Sequence, residues 1–276
     1  MPASRPPITF TLDLEDYAPA GTPARANVIV PRVLELLAEH AVTGTFFIVG
    51  ELAEAEPELV RAIAAAGHEV ALHAFRHVPL PQLDPATFRA ETARGRALLE
   101  DLAGAPVVGF RAPTFSLVPS SRWAVDELTE LGFAYSSSVL PARSPLYGWP
   151  DQPRHPFRWP GGLVELPCPV AAIGTHLANP YLGGVYFRVL PWAAVRLGLA
   201  RSRPDEVLWL YCHPYDFDPD EPFVPRGDVG RLGNRLLWLN RSRMAARVAR
   251  VLTGRAGPPL RERAAVVPAP HAERAE

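Results

Sequence analysis

The sequence predicts a single α/β barrel built on a mostly parallel sheet. Three observations lead there. Short β-rich runs alternate with amphipathic helical stretches, the pattern of strands joined by crossover helices. The chain has 276 residues, a length that such barrels commonly reach as one unit. Hydrophobic residues make up 48% and charged residues 21%, which is ample material for a core.

The elements follow in order. "PITFTLD" (7–13) is the first strand, and Pro31 opens a helix with Val30, Leu34 and Leu37 on one face. "GTFFIVG" (44–50) and "EVALH" (69–73) are the next two strands. Asp84 and Pro85 supply the N-cap and first turn of a helix reaching Leu102. "VVGFR" (107–111) is the fourth strand, 119–131 a third helix, and "FAYS" (133–136) the fifth strand. Segment 137–162 is rich in Pro, Ser and Gly without periodicity, and reads as a long surface loop over one end of the barrel. "LVELP" (163–167) and "EVLWLYCH" (206–213) complete seven strands. A C-terminal helical extension starts near 226. Within 231–253, Leu232, Leu236, Leu239, Met244, Val248, Val251 and Leu252 recur among arginines as one or two amphipathic helices. The domain is expected to run from 1 to 255, with 256–276 a disordered tail.

Composition excludes several functions. A formal net charge of −1 argues against nucleic acid as a partner. All 28 basic residues are Arg, so lysine Schiff-base and Walker-type chemistry are absent. Cys168 and Cys212 sit in or beside apolar strand-like segments and read as buried free thiols. The opening "MPASRPPITF" has no signal-peptide core and no long apolar run appears, which predicts a cytoplasmic protein.

Groups able to act as acid, base or ligand recur at the carboxyl ends of the predicted strands, where such barrels build their sites. Strand one ends in Asp13, followed by Glu15 and Asp16; strand three ends in His73, strand four in Arg111, strand seven in His213. In "HAFRH" (73–77), the imidazoles of His73 and His77 stand four positions apart. With a carboxylate from 13–16 they make a facial set of three, leaving positions open for water and substrate. "HEVAL" (68–72) opens like a zincin motif but has Leu72 where the second histidine belongs, so His68 and Glu69 read as structural. Asp13 and His213 are available as base and acid for a hydrolase, and Arg111 as an ion-pair partner that keeps Asp13 deprotonated.

These residues resemble the polysaccharide deacetylase family, the NodB-homology carbohydrate esterases (family 4), in five places: "FTLDLED", "HAFRH", "FRAP", "YSSS" and "LYCH". "FTLDLEDY", "GGVYFRVLP" and "HPYDFDP" are similar to the subgroup encoded with exopolysaccharide and exosortase-type loci. The resemblance implies a deformed (β/α)7 barrel, one divalent metal, commonly zinc, and hydrolysis of N-acetyl groups on amino sugars. It implies Asp13 as base, His213 as acid, Arg111 as the partner of the base, and His73 and His77 as ligands. Leu14 stands where the family's adjacent aspartate ligand is common, which makes Glu15 the third ligand and Asp16 the alternative. Ser136 stands where an aspartate usually supports the acid, with Glu165 or Asp216 as substitutes. Implied partners are an N-acetylated glycan or a lipid-linked precursor, with peripheral contact at the inner membrane through 231–255. Phe115, Tyr147, Trp149 and Trp159 are candidates for sugar stacking. The rival readings are a hydrolase of a small cyclic amide, allantoinase-like, and a glycan-binding relative without turnover.

Overall fold

All seven expected strands enter one sheet of the computed structural model, which describes residues 6–15, 25–172, 178–225 and 230–268. The elements run β1 Ile8–Leu14, α1 Ala26–Glu39, β2 Gly44–Ile48, α2 Gly50–Ala55, α3 Pro57–Ala65, β3 Glu69–Leu72, α4 Pro85–Ala103, β4 Gly109–Phe110, α5 Trp123–Glu130 and β5 Tyr135–Ser136. The chain continues through β6 Phe157–Arg158, β7 Val164–Glu165, β8 Ala171–Ala172, β9 Ala178–Asn179, α6 Gly184–Val189, α7 Trp192–Arg201, β10 Leu208–Cys212, α8 Arg231–Trp238, α9 Met244–Leu252 and α10 Leu260–Ala265. The sheet order is β10-β1-β2-β3-β4-β5-β7-β6. Its pairings are parallel except for the edge strand β6, so the sheet is a mixed, open half-barrel with helices on its outer face.

Alternation along the strands sorts the core into two clusters. Phe10, Leu12, Phe46, Ile48, Leu72 and Leu210 face the helices, while Phe47, Ala71, Tyr135, Leu166, Trp209 and Tyr211 fill the barrel interior. Gly109 leaves room for the Tyr135 ring, since a Cβ there would lie 2.3 Å from it.

Four expectations need correcting. Helix α1 begins at Ala26, so Pro31 lies inside it; burial of Ile29, Val30, Val33 and Leu37 outweighs the one helical hydrogen bond that a proline cannot make. Helices α2, α3, α6 and α7 have no counterpart in the expected elements. Segment 137–162 is not a surface loop throughout: residues 137–142 are buried, and Phe157–Arg158 adds an antiparallel strand. Residues 256–268 are ordered, where a disordered tail is expected. Ala256 bridges Ile8, Leu260 joins the interior cluster, and the Leu260 and Arg261 amides donate to Thr45 Oγ1 (2.8 Å) and Glu69 (3.0 Å). Helix α10 thus closes the end of the barrel opposite the strand carboxyl ends. The expected N-cap Asp84 is present, accepting from the Thr87 amide at 2.9 Å.

Candidate active site

The period-two alternation that builds the interior also aims the polar groups. Thr11, Ala71, Gly109 and Tyr211 belong to strands β1, β3, β4 and β10. Two residues beyond each, and so toward the same side, come Asp13, His73, Arg111 and His213. Asp13, Glu15, His73, His77, Thr114, Phe115 and His213 line one narrow cavity of about 50 Å³ at the strand carboxyl ends. A space of that size has room for a water or an ion.

One donor atom from each of Glu15, His73 and His77 lies within 4.8 Å of the other two. The Nδ1–H of His73 donates to the Arg111 carbonyl (2.9 Å), which fixes the tautomer and turns the Nε2 lone pair toward Glu15 Oε2, 3.9 Å away. Burial, reinforced by His77, pushes His73 down to about 3, so the ring is neutral. Burial disfavours the Glu15 carboxylate, but His77, His213 and His73 more than offset it and hold its pKa below the usual value. Glu15 Oε2 is buried with no aligned hydrogen-bond donor, although the His77 ring sits against it. Two imidazole nitrogens and an orphaned carboxylate oxygen suit a divalent ion, so the residues present fit such a group.

The second histidine is placed by a strained turn. Ala74 has φ of 60°, a conformation costly for any residue but glycine, and follows His73 directly. The Gly50 and Glu51 amides at the start of α2 donate to the Ala74 and Phe75 carbonyls (3.0 and 2.9 Å), and Arg94 stacks on Phe75 at 4.1 Å. A Cβ on Gly50 would stand 2.4 Å from the Phe75 ring, so glycine permits the turn to seat.

Asp13 is paired as expected. Arg111 Nη1 donates to Asp13 Oδ1 (2.5 Å) and to Thr11 Oγ1 (2.8 Å), while Nε and Nη2 reach the Ser137 carbonyl (3.2 Å) and hydroxyl (3.0 Å). The guanidinium is fully buried between Phe47 (3.9 Å) and Trp209 (4.3 Å).

His213 faces Glu15 Oε1 through Nε2 at 3.4 Å, stacks on Tyr215 at 4.7 Å, and meets Asp216 through Nδ1 at 3.2 Å. Burial disfavours charge on this ring. The Asp216 hydrogen bond, with Glu15 and Asp13, outweighs burial and pushes the imidazole up to about 9. Of the two candidate substitutes for the absent aspartate, Asp216 is the one that contacts His213. Glu165 does not: its carboxylate accepts from the Ser138 and Val139 amides (2.7 and 2.9 Å) and Trp159 (3.3 Å), and burial raises its pKa. Ser136 joins that same network through Ser138 Oγ (2.8 Å).

Asp16, the alternative ligand, lies outside the described residues. Of the four stacking candidates only Phe115 lines the cavity; Trp149 and Trp159 pack on each other at 5.7 Å. His68 and Glu69 are structural, accepting from Gly44 N (3.1 Å) and from Thr45 (2.7 Å) and Tyr135 (2.9 Å). Cys168 and Cys212 are buried and free. Thr11, Ser137 and Arg188 escape the sequence reading; Thr11, two positions before Asp13 on the same strand face, carried the clearest signal.

Residues 3–135 match the family model described as polysaccharide deacetylase, and 137–256 match a domain of unknown function, DUF3473. The chain is 31% identical over 98 residues to a peptidoglycan-N-acetylglucosamine deacetylase of Bacillus cereus, covering 35% of this chain and 36% of that one. It is 49% identical over 53 residues to a chitooligosaccharide deacetylase of Sinorhizobium fredii, covering 19% and 25%. The matches thus span well under half of these relatives. A solved structure from Mycobacterium smegmatis assigned to the polysaccharide deacetylases superposes with a TM-score of 0.58 at 24% identity, covering 96% of this chain and 91% of that one. That likeness concerns the fold.

Proposed function

Because the chain belongs to the polysaccharide deacetylase family, we propose that it hydrolyses N-acetyl groups from the amino sugars of a glycan. The single observation that carries this reading is the convergence, in one cavity, of a three-ligand cluster with a paired carboxylate and a paired imidazole. Glu15, His73 and His77 would hold a divalent ion, zinc in this reading, which when bound polarises the acetamido carbonyl and acidifies a water. Arg111 engages Asp13 Oδ1 and leaves Oδ2 to take the proton from the attacking water. The water oxygen bonds to the carbonyl carbon, giving a tetrahedral adduct. His213 donates its Nε2 proton to the amide nitrogen as the C–N bond breaks, so the electron pair leaves on a neutral amine, and acetate remains. Phe115 at the rim offers a face for the sugar ring.

Acetate release from N-acetylglucosamine oligomers tests the reading. Release is expected from the metal-loaded protein, is lost on chelation, returns with added divalent ion, and is absent in His73→Ala. Glycan binding with bound metal but no acetate would replace the enzyme with a binding module, and turnover confined to small cyclic amides would favour the amidase.

The partner reading extends to an exopolysaccharide precursor met at the cytoplasmic face of a membrane. No described helix is long and apolar enough to cross one. Arg231, Arg235, Arg243 and Arg250 are exposed near Leu232 (72% exposed) and Leu239 (46%), a mixture suited to anionic headgroups. Arg241 is buried, tied to Glu221, and contributes no free charge there. Co-sedimentation with vesicles containing phosphatidylglycerol, but not with neutral vesicles, is expected, and it weakens about thirtyfold in Arg231→Ala/Arg235→Ala as two headgroup contacts are lost. Equal binding to both vesicle types, or none, removes this surface from the account.

A further inference from the structure

Resting on the deacetylase reading, we propose that Arg188, which lies in the half of the chain matched only by a domain of unknown function, is a positioning residue for the proton donor His213. It acts through Asp216. The Arg188 Nε–H donates to Asp216 Oδ1 at 2.6 Å, while Asp216 Oδ2 accepts from the His213 amide (2.8 Å) and faces the His213 Nδ1 (3.2 Å). Both charged groups are fully buried. The other two arms of the guanidinium reach the carbonyls of Leu239 (2.6 Å) and Leu237 (3.1 Å), and Asn240 Nδ2 donates back to the Arg188 carbonyl (3.1 Å). Those carbonyls end α8, where a helix leaves its last acceptors without partners.

The orientation of the imidazole follows from this chain of contacts. An ionised carboxylate only accepts, so the His213 Nδ1 must carry a proton to bond Asp216. The transferable proton is then on Nε2, toward the cavity. Tyr215 stacks on the ring with an interplanar angle of 9° and fixes its tilt. Without Arg188, Asp216 would keep His213 as its one charged partner among the described residues and would be free to turn with it or to take up a proton. A buried Arg–Asp pair of this kind is often no more stable than an apolar replacement, so its presence is explained better by placement of the acid than by stability. The C-terminal extension becomes part of the catalytic apparatus: α8 holds Arg188, Arg188 holds Asp216, and Asp216 holds the acid.

The test separates proton delivery from attack on the carbonyl. An amine leaving group needs the His213 proton, whereas the phenolate of a nitrophenyl acetate leaves without one; attack on either acetyl carbon is the same. In metal-loaded Arg188→Gln, kcat on N-acetylglucosamine oligomers is expected to fall about 10²-fold, the lower end of a general acid's contribution, with KM within about threefold. Ester kcat stays within about threefold. Arg188→Lys, which keeps the charge and folds most readily, restores part of the amide rate, and Arg188→Gln/His213→Gln is no slower on amide than His213→Gln alone. Equal losses on amide and ester, or an undiminished amide rate in Arg188→Gln, overturns the proposal. If the unaltered protein turns over neither substrate, the deacetylase reading fails by itself. The His213 Nδ1–H resonance then decides the present point: slow-exchanging in the unaltered protein, it is lost in Arg188→Gln, and its persistence there refutes the coupling.

Discussion

Arg111→Met is expected to lower stability by about 3 to 5 kcal/mol and to abolish turnover. The stability loss follows from what remains behind. Asp13 is only 3% exposed, and removing the guanidinium leaves a buried carboxylate without its charged partner, a loss of that order. The Thr11 hydroxyl and the Ser137 carbonyl and hydroxyl lose a donor or partner in the same step. Methionine refills most of the space between Phe47 and Trp209, so a cavity is a lesser part of the cost. A second variant separates the two effects. Arg111→Met/Asp13→Asn removes the stranded charge and should recover more than half of the lost stability, measured by urea melts, with no recovery of acetate release. If Arg111→Met alone melts within about 1 kcal/mol of the unaltered protein, Asp13 does not depend on Arg111 as described.

The strands and the mouth of the barrel were legible because both rest on one short-range rule. A period of two places Thr11 and Asp13, or Ala71 and His73, on one face wherever the strand goes, and the parallel order brings their carboxyl ends together. Asp13, His73, Arg111 and His213 could therefore be named by position within their strands. Other features depend on distant residues. Helix α1 runs through Pro31 because its apolar face is buried against the sheet, which no local signal reports. Helix α10 is ordered because Leu260 finds the interior and its amides find Thr45 and Glu69, some two hundred residues earlier; its Pro- and Arg-rich surroundings look like a tail when read alone. The choice between Glu165 and Asp216 also waited on tertiary contacts. Both are buried acids near strand ends, and only the turn at Pro214–Phe217 folds Asp216 back under His213.

Metal binding is expected to produce the second large effect, and it distinguishes ligands from catalytic groups. An ion that binds the folded chain alone stabilises it by RT ln(1 + [L]/Kd), about 4 kcal/mol at a free concentration a thousand times Kd. Zinc titrated into the chelator-treated protein should therefore raise its melting temperature by several degrees. In Glu15→Ala and His73→Ala the gain should shrink below about 1 kcal/mol at the same concentration, since each removes one of three donors gathered within 4.8 Å. His77→Ala belongs with them although its ring is half-buried and the other two are buried. His213→Gln should behave differently. Its ring faces Glu15 from 3.4 Å but is held on Asp216, outside the three-donor set, so the zinc-dependent gain survives while amide turnover falls by at least 10²-fold. A His213→Gln variant that loses the zinc gain would make this imidazole a fourth ligand and leave proton delivery to some other group. Retention of the full gain in His73→Ala would move the ion away from the cluster altogether.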